Sequence, residues 1–177
     1  FETFFTNSSL PFLDFKWQCS NNTLSIQVDQ IPFKTNNDIS LSPFTWSVPV
    51  CFKSISNSST RTYCSIISQS NSRISKNVNV CPVALLPNPS GRGYYFWRLT
   101  PEHIDTLAHY FNTFSNSEIY SFITNLNQAV KLNLISLDDY LQIVKNFINK
   151  PTISAYTIQE IFNFLIQFYH YSNNPNL

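Results

Sequence analysis

The spacing of the apolar residues changes near residue 100, and this change limits what the chain can fold into. Before that point, single polar residues separate Leu13, Phe15, Trp17 and Cys19. This period of two is typical of a strand with one buried face. Short segments of this kind recur at intervals of roughly ten residues, divided by Asn, Ser and Pro clusters, which favours an antiparallel β-sandwich. We expect this sandwich domain to span residues 1–98.

After residue 100, apolar residues recur every third or fourth position, which is typical of amphipathic helices. Thr100-Pro101-Glu102 combines an N-cap residue, a proline suited to the first helical position and an acid that favours the positive helix start. Ser115 and Glu118 have the spacing of a capping box. Helices with short links predict antiparallel hairpins. We therefore expect residues 99–177 to form an α-helical hairpin array, so the predicted fold class is an all-β sandwich followed by an all-α, solenoid-like segment.

The charge composition argues against several classes of function. Only 12% of the residues are charged and the net charge is +1, so nothing points to nucleic acid or to an anionic membrane. No apolar run reaches the ~18 residues that a membrane span requires. The chain begins with Phe1 rather than Met, which we interpret as a sign of a fragment or a processed product. The compartment stays open, since both a cytoplasmic and an exported parent are compatible with this start.

Four cysteines lie in the predicted β half: Cys19, Cys51, Cys64 and Cys81. No pair has the C-x-x-C spacing of a zinc site or a redox motif. Cys51 and Cys64 are about equally far from the loop centre at Asn57-Ser58, so a hairpin would place their Cβ atoms ~4.5–5.5 Å apart. Two outcomes remain open, a disulfide between Cys51 and Cys64 or two facing thiols.

The polar residues of the helical half form no recognisable catalytic or metal-binding pattern. The chain contains three histidines: His103, His109 and His170. None lies in a His-Glu-x-x-His motif, so we expect solvated or helix-end residues. Asp138 and Asp139 are adjacent, and at a helix start they are expected to support the cap and the helix dipole.

Aromatic and basic residues of the β half give two weaker candidates. Trp17, Trp46 and Trp97 could form a platform for a sugar, but their strand positions favour the core. Arg92 and Arg98 flank a Gly-Tyr-Tyr stretch, where a surface or capping role is favoured over contact with a peptide. We therefore assign no catalytic and no metal-binding residue, and the substrate-binding residues are unknown.

Four stretches, taken in order, resemble a known family. They are residues 4–11, with an aromatic pair ahead of a proline, 24–33 (LSIQVDQIPF), 46–50 (WSVPV) and 88–95 (NPSGRGYY). With the helical stretches at 125–130 and 135–137, they are similar to the C-terminal half of M1-family zinc aminopeptidases, the aminopeptidase N-like enzymes. One departure is Phe96, which stands where that family has an arginine.

The resemblance implies a non-catalytic C-terminal region of an enzyme that removes N-terminal amino acids from peptides. In that family the sandwich is a spacer and the helical domain covers the substrate chamber. The implied partners are the catalytic and N-terminal domains of the same full-length chain, and peptide substrates through the full-length enzyme. Zinc is implied in the missing catalytic domain, with no cofactor in this chain.

The metallopeptidase chemistry of the family needs His-Glu-x-x-His and a further Glu, which bind zinc and activate water. This sequence lacks the His-Glu-x-x-His motif, so we expect the chain alone to be inactive. Two alternatives stay open: a stand-alone β-sandwich module for binding or adhesion, or a relative of the family that has lost its zinc site and serves as a scaffold.

Overall fold

The computed structural model describes residues 10–32, 45–57, 59–148 and 153–173. In these ranges strands come first and helices follow. The strands are β1 (Pro11–Ser20), β2 (Thr23–Pro32), β3 (Val48–Ile55), β4 (Thr60–Ile67), β5 (Asn71–Asn77), β6 (Ala84–Pro87) and β7 (Phe96–Arg98). The α-helices are α1 (Pro101–His109), α2 (Asn116–Lys131), α3 (Leu137–Ile148) and α4 (Ala155–Asn173).

The larger sheet has four strands in the order β5-β2-β1-β7. Strands β1 and β2 form an antiparallel hairpin. Its turn residues, Asn21 and Asn22, have φ angles of 49° and 58°, which asparagine tolerates better than most residues and which match the twist of a two-residue hairpin. Strand β7 returns beside β1 in the parallel direction, with Leu13 opposite Trp97.

The smaller sheet has three strands in the order β4-β3-β6. Strand β3 is the middle strand, yet it contains Pro49, which cannot donate a backbone hydrogen bond. Strand β6 pairs only with the end of β3, from Phe52 to Ile55. At Pro49, β3 therefore has a described neighbour only in β4, so the proline lies where the described residues place no partner on the other side of the strand.

The chain divides into two compact units, residues 1–107 and residues 108–177. In the first unit, alternate strand residues supply a dry core, and its largest fully buried side chains include Trp46, Trp97, Phe15 and Phe52. Such large side chains each remove much apolar area from water, which is the main favourable contribution to folding.

The second unit is built around aromatic side chains from its helices. Phe111 lies with its ring centroid 3.5 Å from that of Phe147 and 5.2 Å from that of Phe122. Helix α2 packs chiefly against α4. Tyr140 of α3 and Phe164 of α4 have ring centroids 4.9 Å apart. The helices therefore share one core instead of stacking only with their neighbours in sequence.

The predicted fold class, an all-β sandwich followed by an all-α solenoid-like segment, is wrong. The described residues form a small mixed α/β fold with two sheets and four α-helices. The parallel β1–β7 pair makes the larger sheet mixed. His103 of helix α1 stacks on Trp17 of strand β1. The first helix is therefore packed against the strands and is not part of a separate helical segment. Helix α2 contacts α4 more than α3, so consecutive hairpins do not repeat.

None of the helices among the described residues combines the length and the apolar character that crossing a bilayer requires.

Candidate functional site

The described residues contain no group of three or more His, Cys, Asp and Glu side chains placed to hold a metal ion. The three histidines instead occupy separate places. His103 lies in the first turn of α1, His109 ends that helix, and His170 lies in the last turn of α4. The structure does not bring them together.

His103 is stacked on Trp17, with ring centroids 4.8 Å apart and planes inclined by 21°. Its side chain is half-buried, so the expectation of a solvated residue is only partly met. Burial lowers the pKa of the His103 imidazole below its usual value, and the nearby Glu102 carboxylate opposes this shift more weakly. His103 is therefore a packing residue that resists protonation.

Asp138 and Asp139 begin helix α3. The Ser136 hydroxyl donates to Asp139 Oδ2 over 2.7 Å, and the Asp139 backbone N–H donates to Ser136 Oγ over 3.1 Å. This reciprocal arrangement is a helix cap, which satisfies a backbone donor that the helix itself leaves free. The two carboxylates support a helix start and are not arranged as a catalytic pair.

Two of the three tryptophans belong to the core. Trp46 and Trp97 are each 2% exposed, and Trp17 is half-buried beneath His103. A platform for a sugar needs exposed aromatic faces. The tryptophans do not form one.

Arg98 and Asp14 form an ion pair across the parallel strands β1 and β7. The Arg98 Nη2 atom lies 2.6 Å from Asp14 Oδ2, and Nε lies 3.3 Å from Oδ1. This two-bond contact raises the pKa of the Arg98 guanidinium. Arg98 thus fastens β7 to β1, whereas Arg92 is exposed.

All four cysteines are joined in disulfides. Cys51 and Cys64 are opposite each other in the β3–β4 hairpin and are bonded, with Cα atoms 4.1 Å apart. Cys19 is bonded to Cys81 across 62 residues of sequence, with Cα atoms 5.7 Å apart. One bond therefore closes a hairpin, and the other ties the end of β1 to the segment between β5 and β6.

Gln30 connects the two sheets through hydrogen bonds to backbone groups of Trp46, which is buried, and of Gln69, which is exposed. Its Nε2 donates to the Trp46 carbonyl over 2.9 Å and to the Gln69 carbonyl over 3.0 Å. Its Oε1 accepts from the Trp46 N–H over 2.8 Å. Gln30 is 8% exposed, and nearly all buried backbone groups need such partners. This side chain therefore fixes where β3 begins beside the end of β2.

A second contact of this kind involves Asn88, Gly93 and Tyr95. The Asn88 side chain donates from Nδ2 to the Gly93 carbonyl over 2.9 Å and accepts at Oδ1 from the Gly93 N–H over 2.7 Å. The Tyr95 hydroxyl donates to the Cys51 carbonyl over 3.3 Å. A Cβ atom at Gly93 would overlap the Tyr95 ring, so glycine is required here.

We call Gln30, Trp46, Cys51, Asn88 and Tyr95 the strand junction. These residues contribute amide, phenol and backbone groups, all of which are engaged with one another or with nearby backbone. Burial raises the pKa of the Tyr95 phenol far above its usual range, so this hydroxyl stays protonated. The strand junction offers hydrogen bonding and rigidity, with no nucleophile or general base.

The polar residues of the strand junction were not singled out as site residues by sequence reasoning. Gln30 carried a usable signal, because it continues the buried alternation of Leu24, Ile26 and Val28. A polar residue in the buried phase of a strand needs a buried partner. The two glycines of the chain, Gly91 and Gly93, indicated the close approach near Asn88.

No protein-family model matches this chain, and no curated protein matches it.

Proposed function

We propose that this chain is a non-catalytic region of a zinc aminopeptidase of the M1 type. It acts there as spacer and cover of the chamber in which the full-length enzyme removes N-terminal amino acids from peptides. The zinc and its ligands belong to a catalytic domain outside this chain. The partners are that domain and the N-terminal domain of the same protein.

One observation carries the proposal: two of the stretches that resemble the family bond to each other, and a third bonds to the residue that directly follows one of them. Gln30 belongs to residues 24–33 and holds both backbone groups of Trp46, the first residue of residues 46–50. Tyr95, from residues 88–95, bonds to the backbone of Cys51, which directly follows that second stretch. Segments that resemble the family are thus held together by hydrogen bonds in the folded chain.

The chemistry of these contacts supports a framework and not a reaction centre. The Gln30, Asn88 and Tyr95 side chains of the strand junction each bond to a buried or half-buried backbone group. The Arg98–Asp14 pair and the two disulfides add further links within the same unit. A spacer between domains must keep its shape when neighbouring domains contact it. The hydrogen bonds, the ion pair and the two disulfides of this unit make it rigid.

The cover role is tested by removing the helical unit from the native gene product. Deletion of residues 108–177, which begins at the boundary between the units, should leave cleavage of aminoacyl p-nitroanilides largely intact. It should also increase the cleavage of long peptides relative to short ones, because the chamber is opened. A matched control is the full-length product with Lys145→Glu, an exposed change on α3 that leaves the helices in place.

Unchanged preference for peptide length after the deletion would contradict the cover role. Loss of all activity could reflect misfolding, so the deleted protein is first compared with the intact one by thermal unfolding and by zinc content. A native gene product without zinc and without peptidase activity would instead favour the scaffold alternative.

A further inference from the structure

Two neighbouring strands of the first unit, β4 and β5, each have one edge without a strand partner among the described residues. Strand β5 is the outer strand of the larger sheet and pairs with β2 alone among the described residues. Strand β4 is the outer strand of the smaller sheet and pairs there with β3 alone. An outer strand presents unpaired N–H and C=O groups that another extended segment can bond. Consecutive strands from different sheets thus each offer a free edge.

The space between these edges is a cleft of about 390 Å³. It is lined by residues 65–69, at the end of β4, and by residues 72–76 of β5. Ile66 lies at its rim and is 75% exposed, which is unusual for so apolar a side chain in a strand. The cleft therefore combines two strand edges that have no strand partner among the described residues with an apolar contact.

The charge of the cleft has one sign. Arg73 and Lys76 line it, and no carboxylate does. Within the described part of the chain, neither cation takes part in an ion pair. Serine residues and Gln69 supply the remaining polar lining. A segment that carries carboxylates would meet complementary charge here, and a basic segment would be repelled.

We propose that this cleft binds an acidic, extended peptide segment, which adds to the free edge of β5 as a further strand. Backbone hydrogen bonds to β5 supply affinity, and alternate side chains supply specificity. Carboxylates of the segment face Arg73 and Lys76, and its apolar side chains rest on Ile66. This interaction is independent of the peptidase assignment, because every residue involved belongs to this chain.

Basic residues on an outer strand also serve to prevent unwanted pairing. That role predicts that no peptide binds. The exposed Ile66, on the neighbouring outer strand β4, opposes it, because an apolar side chain that lines the same cleft favours contact with another segment. The two roles differ in a measurable way.

The test uses the whole 177-residue chain and a fluorescein-labelled peptide of about six residues, which spans ~20 Å as a strand. The peptide alternates Glu and Val. Fluorescence anisotropy should show saturable binding that weakens with added salt. The double variant Arg73→Glu/Lys76→Glu should reduce the affinity by about tenfold or more. The exposed Lys145→Glu change, on α3, is the matched control and should leave the affinity unchanged.

A second pair of probes tests the strand pairing itself and needs no protein variant. The same acidic peptide, methylated at alternate backbone nitrogens, should lose binding because it cannot form a ladder with β5. A peptide that alternates Lys and Val should not bind. Amide hydrogen exchange of residues 71–77 should slow in the presence of the unmethylated acidic peptide.

Several results would overturn the proposal. One is the absence of saturable binding of the acidic peptide. Another is equal binding of the methylated and unmethylated peptides, which would show simple charge attraction. A third is a concentration-dependent dimer that excludes the peptide, because the edge would then be occupied by a second copy of the chain.

Discussion

Gln30 shows at the residue scale how one polar side chain can hold two sheets in place. Its amide forms three hydrogen bonds with backbone groups of Trp46 and Gln69. Because the side chain is 8% exposed, water cannot easily replace these bonds. The cost of losing them is the cost of leaving buried backbone groups without partners.

We predict that Gln30→Ala lowers the free energy of unfolding of the first unit by about 3 kcal/mol. Gln27→Ala is the matched control, because among the described residues the Gln27 side chain bonds only to the side chain of Asp29 on the same strand, and it should cost at most ~0.5 kcal/mol. Urea unfolding followed by tryptophan fluorescence measures both, since Trp17, Trp46 and Trp97 all lie in this unit. Equal losses in the two variants would refute the role of Gln30.

His103 gives the first unit a dependence on pH. Burial lowers the pKa of its imidazole in the folded state, whereas in the unfolded chain the pKa is about 6.5. Between these two values the unfolded state binds more protons than the folded state. The folded state is therefore most stable above the unfolded pKa, where His103 is neutral in both states. It loses stability as the pH falls through about 6.5 toward the folded pKa, because protonation of His103 favours the unfolded state.

We predict that the urea midpoint of the wild type decreases between pH 7.5 and pH 5.5, and that His103→Gln reduces this decrease. His109→Gln, at an exposed position at the end of the same helix, should keep the wild-type difference between the two pH values. The measurement is again tryptophan fluorescence in urea. If the two variants respond alike to pH, His103 is not the group responsible.

Single residues could be predicted from the sequence where their role is local. The capping box of Ser115 and Glu118 is present, with Ser115 N–H donating to Glu118 Oε2 over 2.8 Å and Glu118 N–H donating to Ser115 Oγ over 3.3 Å. The contacts of Gln30 and Tyr95 could not be predicted in this way. They join residues far apart in sequence, and their geometry depends on how the sheets meet.

At the scale of elements, each disulfide constrains a different length of chain. The Cys51–Cys64 bond spans 13 residues within one hairpin, whereas the Cys19–Cys81 bond spans 62 residues. In the chain-entropy description, a cross-link that closes a longer loop removes more freedom from the unfolded state. The longer link should therefore contribute more stability.

We predict that replacing Cys19 and Cys81 with serine lowers the unfolding free energy by roughly 4 kcal/mol, and that replacing Cys51 and Cys64 lowers it by roughly 3 kcal/mol. Urea unfolding of the two double variants compares them. Counting thiols in the denatured, unreduced wild type provides the control and should find none. Four free thiols, or a larger loss from the shorter link, would contradict this account.

The elements themselves follow from local signals. Period-two alternation locates β1 and β2, and the Asn21-Asn22 pair locates their turn. The Thr100-Pro101-Glu102 start is followed by α1. Strand β7 is short and covers Phe96–Arg98, because the Asn88 contact holds Gly93 outside the ladder.

At the scale of the whole molecule, periodicity could not predict the fold class, because it does not specify which elements become neighbours. Nothing in the three residues of β7 indicates parallel pairing with β1. The apolar stripes of α2 and α4 are compatible both with sequential hairpins and with the shared aromatic core that the structure shows. Tertiary packing decides between such arrangements.

In the candidate site, too, local features could be predicted from the sequence, and contacts between distant segments could not. The disulfide candidates Cys51 and Cys64 came from symmetry about one hairpin loop, which is a local property. The framework role of the strand junction rests on contacts between distant stretches. The proposed membership of a zinc aminopeptidase rests on the resemblance of those stretches, and it concerns protein outside the chain.

The most direct test of the proposed function compares the 177-residue chain with its native gene product. Both are dialysed, analysed for zinc by mass spectrometry, and assayed for release of N-terminal amino acids with and without a zinc chelator. We predict stoichiometric zinc and chelator-sensitive release in the native gene product, and neither in the 177-residue chain. Zinc and turnover in the chain alone, or their absence from the native gene product, would contradict the account.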